Sequence, residues 1–399
     1  MRIQRSRSNL TFRARRRRSG CLPTALFLLV MAGVATFSWD WLSEQLNLRP
    51  QPSGEGDLRG ALSAFDRGDL DTAISLARHL WTLHPAHTEA LILLVRALIY
   101  RSYDDYNRGI DRELALELTT EAYERLPTDG NVAAIHALAL HASGESVEAA
   151  QVVNRVLQAN PDNTLARIAL ALAYGGVGSH ERALNESQIA VNSGEWPLDA
   201  LRALAISYSD LGMYEQAKDT VEEALALNDR LLLLHFERAL YSLQQSDDDA
   251  ATVSYFQVMA FDPENAKARL RLCELSSIRR ERDTALRYCG EVTEIAPTWA
   301  DGWYHLGREY FLQGNFPNAQ RSLHRCSSLQ LIQNVPVEQR RFECWYLQGQ
   351  AAEILGDCEG LLSTYNEFRQ MSASAALPQT WTYPPEGPSI CVATATPPN

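Results

Sequence analysis

Small apolar residues return along the chain at fixed intervals, with larger apolar residues beside them, from Asp57 to about Gln370. One series runs Ala61, Ala137, Ala171, Ala205, Ala239, Cys273, Gly307 and Gly349. A second runs Ala73, Ala115, Ala149, Ala183, Ala217, Ala251, Ala285 and Ala319. Small side chains in register mark places where two antiparallel helices approach closely, and the large neighbours fill the space beside them. Pro127, Pro161, Pro263 and Pro297 fall on one register whose spacings are multiples of 34 residues. Gly68, Gly144, Gly178, Gly212, Gly314 and Gly356 stand where each pair of helices must turn. The pattern predicts helix–turn–helix units and no strand.

Nine units follow from the register: 54–87, 88–129, 130–163, 164–197, 198–231, 232–265, 266–299, 300–333 and about 338–370. The second carries about eight extra residues within Arg101–Arg112, and Leu331 to Val337 is a longer connection before the ninth. Trp303, Leu306, Gly307, Tyr310, Gly314, Ala319 and Leu323 in the eighth unit follow the order W-x2-L-G-x2-Y, then small residues. This resembles the tetratricopeptide repeat family, over roughly 310 of the 399 residues. The resemblance implies an all-α solenoid of about nine repeats and 18 helices, wound as a right-handed superhelix in which each unit buries its apolar faces against its neighbours.

Residues 1–20 hold eight Arg and no acid. An apolar run from Cys21 to Phe37 follows, with Trp39 and Trp41 behind it and no charge between Arg18 and Asp40. About 20 apolar residues cross a bilayer, and positive charge stays on the cytoplasmic side. The expected layout is therefore a basic cytoplasmic arm (1–20), a transmembrane helix (21–42), a linker (43–56), the array (57–370) and a proline-containing flexible tail (371–399). The array would then lie outside the cytoplasm of a single-pass membrane protein, in a bacterial envelope; only two Lys stand against 35 Arg, as in a GC-rich genome. A cleavable signal peptide with Gly33-Val34-Ala35 as its cleavage site competes with this reading.

The formal net charge is −12, and with the arginine arm set aside the remaining chain carries −20. An acidic body argues against a nucleic-acid partner. There is no phosphate-binding glycine loop, no H-E-x-x-H, no nucleophile elbow and no C-x2-C pair. His79, His84 and His87 read as solvated helix-end residues, and Asp247-Asp248-Asp249 as acids at a helix N-terminus. No metal, cofactor or catalytic residue is expected. Six cysteines lie in the last third of the chain, and the register pairs them as Cys273–Cys289, Cys326–Cys344 and Cys358–Cys391, the last tying the tail to the final unit. They are disulfides in an oxidising compartment or small core residues in a reducing one.

The resemblance further implies a groove lined by the second, fifth, ninth, twelfth and thirteenth residues of each first helix. On this register those positions include Leu165, Ile168, Leu172, Arg202, Ile206, Phe236, Leu240, Leu270, Tyr304, Arg308 and Tyr346. The expected function is a membrane-anchored, non-enzymatic scaffold that binds an apolar or helical segment of a partner protein and assembles an envelope complex. The alternative is an accessory subunit that presents substrate to a separate enzyme. Packing of neighbouring first helices would bury part of the stripe, and Tyr100, Tyr103 and Tyr106 at the insertion form a second candidate contact.

Overall fold

The computed structural model of the chain describes residues 54–374, 380–385 and 387–394. The described residues from Asp57 onward cluster as one compact unit. Among the described residues every helix or strand assigned is helical. The first helices of the nine units are α1 (Gly54–Asp66), α3 (Thr88–Arg101), α5 (Gly130–Ala142), α7 (Thr164–Gly176), α9 (Pro197–Asp210), α11 (Leu232–Gln244), α13 (Ala266–Ile278), α15 (Ala300–Leu312) and α17 (Glu343–Leu355). The second helices are α2 (Leu70–Leu83), α4 (Ile110–Arg125), α6 (Ser146–Ala159), α8 (His180–Ser193), α10 (Tyr214–Leu227), α12 (Asp248–Phe261), α14 (Arg282–Ile295), α16 (Phe316–Ile332) and α18 (Cys358–Ser374). A short α19 (Ser389–Thr394) follows in the tail.

The helices start where side chains satisfy the free amides of the first turn. Asp129 caps α5, Asn163 caps α7, Asp247 caps α12 and Asn265 caps α13. They stop at left-handed residues: the six turn glycines have φ between 71° and 93°. Units six and seven place Ser246 (φ 61°) and Arg280 (φ 62°) at the same turn. A Cβ disfavours that conformation by roughly 1 kcal/mol or more. Ser246→Gly and Arg280→Gly should therefore each stabilise the array by about 1 kcal/mol, read as a higher urea midpoint; an unchanged or lower midpoint contradicts this.

All eight alanines of the second series are fully buried, as are Ala61, Ala137, Ala205, Ala239 and Cys273 of the first. Each helix packs on its chain neighbours, and first helices also pack on first helices, α3 on α5, α5 on α7 and α7 on α9. The apolar core follows this division. One cluster runs from Ala61 to Tyr241, and a second joins Ala239, Tyr255, Tyr288 and Leu306. Trp345, Phe368 and Met371 close the last units.

Two expectations change. Among the described residues no helix is long and apolar enough to cross a membrane. The described residues thus form an all-α solenoid with no membrane helix among them, against the expected fold class and the expected single-pass localisation. The segment at 21–42 that carried both lies outside the described residues. The tail, expected to be flexible, is packed where it is described. α18 runs on to Ser374, and the Trp381 ring lies 5.1–5.9 Å from the rings of Tyr346, Tyr365, Phe368 and Tyr383. Gly349 makes room for it: a Cβ there would lie 2.0 Å from the indole.

Three disulfides join Cys273 to Cys289, Cys326 to Cys344 and Cys358 to Cys391, with Cα separations of 5.3, 5.9 and 5.3 Å. The third closes a 33-residue separation that holds the tail against α18. Cys358→Ser with Cys391→Ser should free Trp381, seen as faster tail proteolysis and red-shifted tryptophan emission; unchanged proteolysis would show that aromatic packing alone holds the tail.

Candidate functional site

On the inner face of units two to seven, the predicted groove residues Leu165, Ile168, Leu172, Ile206 and Leu270 are buried or half-buried instead of lining an open channel. Leu165 and Ile168 are each 1% exposed, Leu172 8% and Leu270 5%. Ile206 is partly buried against the same core. Polar groups on this face meet across it. Arg96 Nη2 donates to Asp199 Oδ2 at 2.6 Å, and the Tyr100 hydroxyl donates to Asp199 Oδ1 at 3.2 Å. Arg202 Nε donates to Glu237 Oε1 at 2.8 Å, with the guanidinium 5.4 Å from the centre of the Tyr100 ring. Burial pushes the Glu237 carboxyl up, and the Arg202 charge pulls it back. Between these pairs a cavity of about 40 Å³ remains, bordered by Leu138, His141 and Leu172.

The loop 102–109 between α3 and α4 crosses this face as a strap. Its partners lie more than 160 residues away in sequence. The Asn265 amide donates to the Asp104 carbonyl at 2.9 Å, and the Lys267 backbone N–H donates to Asp105 Oδ1 at 3.0 Å. The Lys267 ammonium donates to the Tyr103 carbonyl. The Tyr106 ring stacks on Trp299 at 4.4 Å and 13°. Beside the strap, Asn228 Nδ2 donates to the Phe65 carbonyl at 3.1 Å, so unit one also touches the junction of units five and six. Tyr100, Tyr103 and Tyr106 thus contact this chain's own groove.

One oxygen of Asp104 is buried without a hydrogen-bond partner. Burial raises the Asp104 carboxyl to about 8, opposed by the charges of Lys267 and Arg108. Burial lowers the Lys267 ammonium to about 8, opposed by Asp104. The folded state therefore holds the Asp104 proton where the unfolded chain has lost it. Stability from this group is full below about pH 4 and is lost as pH rises through about 8. Asp104→Asn should stabilise the array progressively over that window, with the gain levelling above it. A melting temperature gap that does not widen with pH contradicts this.

The rest of the predicted set lies where the face opens, in units six to nine. Leu240 is 49% exposed. Phe236 is partly buried, with the Lys267 ammonium 4.2 Å from its ring centre. Tyr304 and Arg308 are partly exposed; Arg341 lies over the Tyr304 ring at 4.6 Å, and Arg308 Nη1 contacts Ser277 Oγ and Glu309. Tyr346 is covered on one side by Trp381. The predicted set omits three residues at one register position. Ile278 and Leu312 end α13 and α15, and Ile354 lies one residue from the end of α17. They are 74%, 46% and 56% exposed. The register carried the signal, since each lies five residues after the small residue of its unit's first helix, Cys273, Gly307 and Gly349. Among the described residues no group of three or more side chains is placed to hold a metal.

Residues 199–230, nearly the whole of unit five, match the family model described as "Tetratricopeptide repeat". No curated protein matches the sequence. Among solved structures, the APC/C hetero-tetramer Cut9–Hcn1 is 16% identical with a TM-score of 0.50, over 77% of this chain and 57% of that one. The chain thus spans little more than half the length of that protein. The human IFIT1 dimer with m7Gppp-AAAA is also 16% identical with a TM-score of 0.50, over 78% and 80% of the two chains. A tetratricopeptide repeat protein from Parabacteroides merdae is 17% identical over 64% of this chain and 98% of its own, with a TM-score of 0.40. The register, the buried small residues, the family model over residues 199–230 and the two structures with a TM-score of 0.50 agree on the fold: the array is built like a tetratricopeptide-repeat solenoid.

Proposed function

We propose that the chain is a protein–protein interaction scaffold that docks an apolar, helical segment of a partner along the open rim of units six to nine. The repeat fold supports the general class. The observation that carries the specific reading is the row Leu240, Ile278, Leu312 and Ile354, four large apolar side chains each about half or more exposed on consecutive first helices. Scattered exposed apolar residues are ordinary; a row along successive repeats, with Ile278, Leu312 and Ile354 at one register position and Leu240 four residues earlier in its own unit, is the pattern of a binding face. Arg308 at the same face offers a charge to an acid beside the docked segment.

Covering an Ile or Leu contributes about 1.5–3 kcal/mol. Ile278→Asp with Leu312→Asp should therefore weaken capture of the partner by tenfold or more, measured by affinity purification from the native cell with quantitative mass spectrometry. Both side chains face solvent, so the far-UV circular dichroism should stay unchanged. A folded double variant that captures the same proteins in the same amounts would contradict the proposal.

A further inference from the structure

We infer that the strap is a built-in occupant of the groove between units two and six to eight, and that this groove recognises a turn-forming acidic–aromatic segment of a partner, ordered aromatic, acid, acid, aromatic. This goes beyond the open rim and does not depend on it. The strap reads Tyr103-Asp104-Asp105-Tyr106, and the groove addresses successive residues of it. The Lys267 ammonium and the Asn265 amide take the carbonyls of residues 103 and 104. The first turn of α13 gives the Lys267 N–H to the Asp105 carboxylate, where an anion suits the helix dipole. Trp299 takes the Tyr106 ring face to face. These groups need only a backbone turned as the strap is, one acid and one ring, so a segment of another chain can satisfy them in the same way.

Two observations distinguish a replaceable occupant from permanent packing. The strap closes with one Asp104 oxygen buried and unpartnered, a penalty that a better-fitting segment would avoid. A cavity of about 360 Å³ also runs alongside it, bordered by Arg112, Arg271, Trp299, His305 and Arg341. Arg271 pairs with Glu274 and Arg341 with Asp301 there, which leaves Arg112 and Lys267 against Asp105, in a chain whose body is strongly acidic. That local excess suits an acidic segment. The tether gives the strap a high effective concentration, so an outside segment sees only the fraction of molecules whose strap is open.

The test uses the full chain and a fluorescent peptide with the sequence of residues 101–108. Asp105→Ala with Tyr106→Ala loosens the strap and should bind the peptide at least tenfold more tightly than the unaltered chain; a scrambled peptide should bind neither. A helical variant that binds the peptide no better than the unaltered chain overturns the inference. So does equal binding of the scrambled peptide. A variant that dimerises on size exclusion without binding peptide assigns the groove to a second copy and also overturns it. Should the variant lose its helical signal, hydrogen exchange on the unaltered chain decides. Millimolar peptide must speed exchange at residues 102–109, and unchanged exchange there rejects the inference.

Discussion

Arg202→Met is expected to destabilise the array by about 3–5 kcal/mol, because it leaves Glu237 charged, buried and without its partner. The two side chains are only 12% and 11% exposed, and the bond between them ties α9 to α11. The guanidinium also lies within 5.4 and 5.7 Å of the ring centres of Tyr100 and Tyr103, so it links unit two to units five and six. Removing both charges should restore most of the loss. Arg202→Met with Glu237→Leu should unfold within about 1–2 kcal/mol of the unaltered chain in urea, because an apolar pair replaces an ion pair with little net change. A single variant that loses less than about 1 kcal/mol, or a double variant that sums the two single losses, would show that the pair does not act as a unit.

Ala217→Phe and Ala251→Phe form the second large expectation. Both alanines have no exposed surface, and each sits where a second helix meets its own first helix. A phenyl ring there forces the helices apart, at roughly 1–3 kcal/mol or more. The loss should spread, since each repeat is held only by its neighbours. Gln216→Ala, at an exposed position one residue away, should be near neutral. Phe variants that melt with the unaltered chain would place these alanines outside the helix contact.

The small-residue register was legible because packing leaves no alternative: a contact between helix backbones admits Ala, Gly or Cys and little else. The disulfide pairs were legible for the same reason, since the register sets Cys273 opposite Cys289 and Cys326 opposite Cys344. The path of the array across itself was not. Asn265 and Asp104 meet over a separation of 161 residues, set by curvature accumulated over several units, and no local pattern encodes that sum. A trace of it was present in α3, α5 and α7, which are apolar on nearly every side. A first helix that faces an open groove keeps one polar stripe, whereas one covered on both sides does not. Read that way, Leu165, Ile168 and Leu172 belong to the core. The tail misled through composition: its prolines suggest disorder, yet Trp381 finds a slot that Gly349 leaves open. Ile278 and Leu312 were within reach, because the thirteenth residue of each first helix is a groove position.

Recognition of the partner is expected on the rim of units six to nine. Site-specific photo-crosslinking in the native cell tests it most directly, with a benzophenone side chain placed at Leu312 in one strain and at Gln216 in another. Leu312 should crosslink one partner, through an apolar stretch of helical period in that partner, while Gln216 should not. Crosslinks of equal yield to the same protein from both positions, or none from Leu312 in a folded chain that still captures its partner, would contradict it.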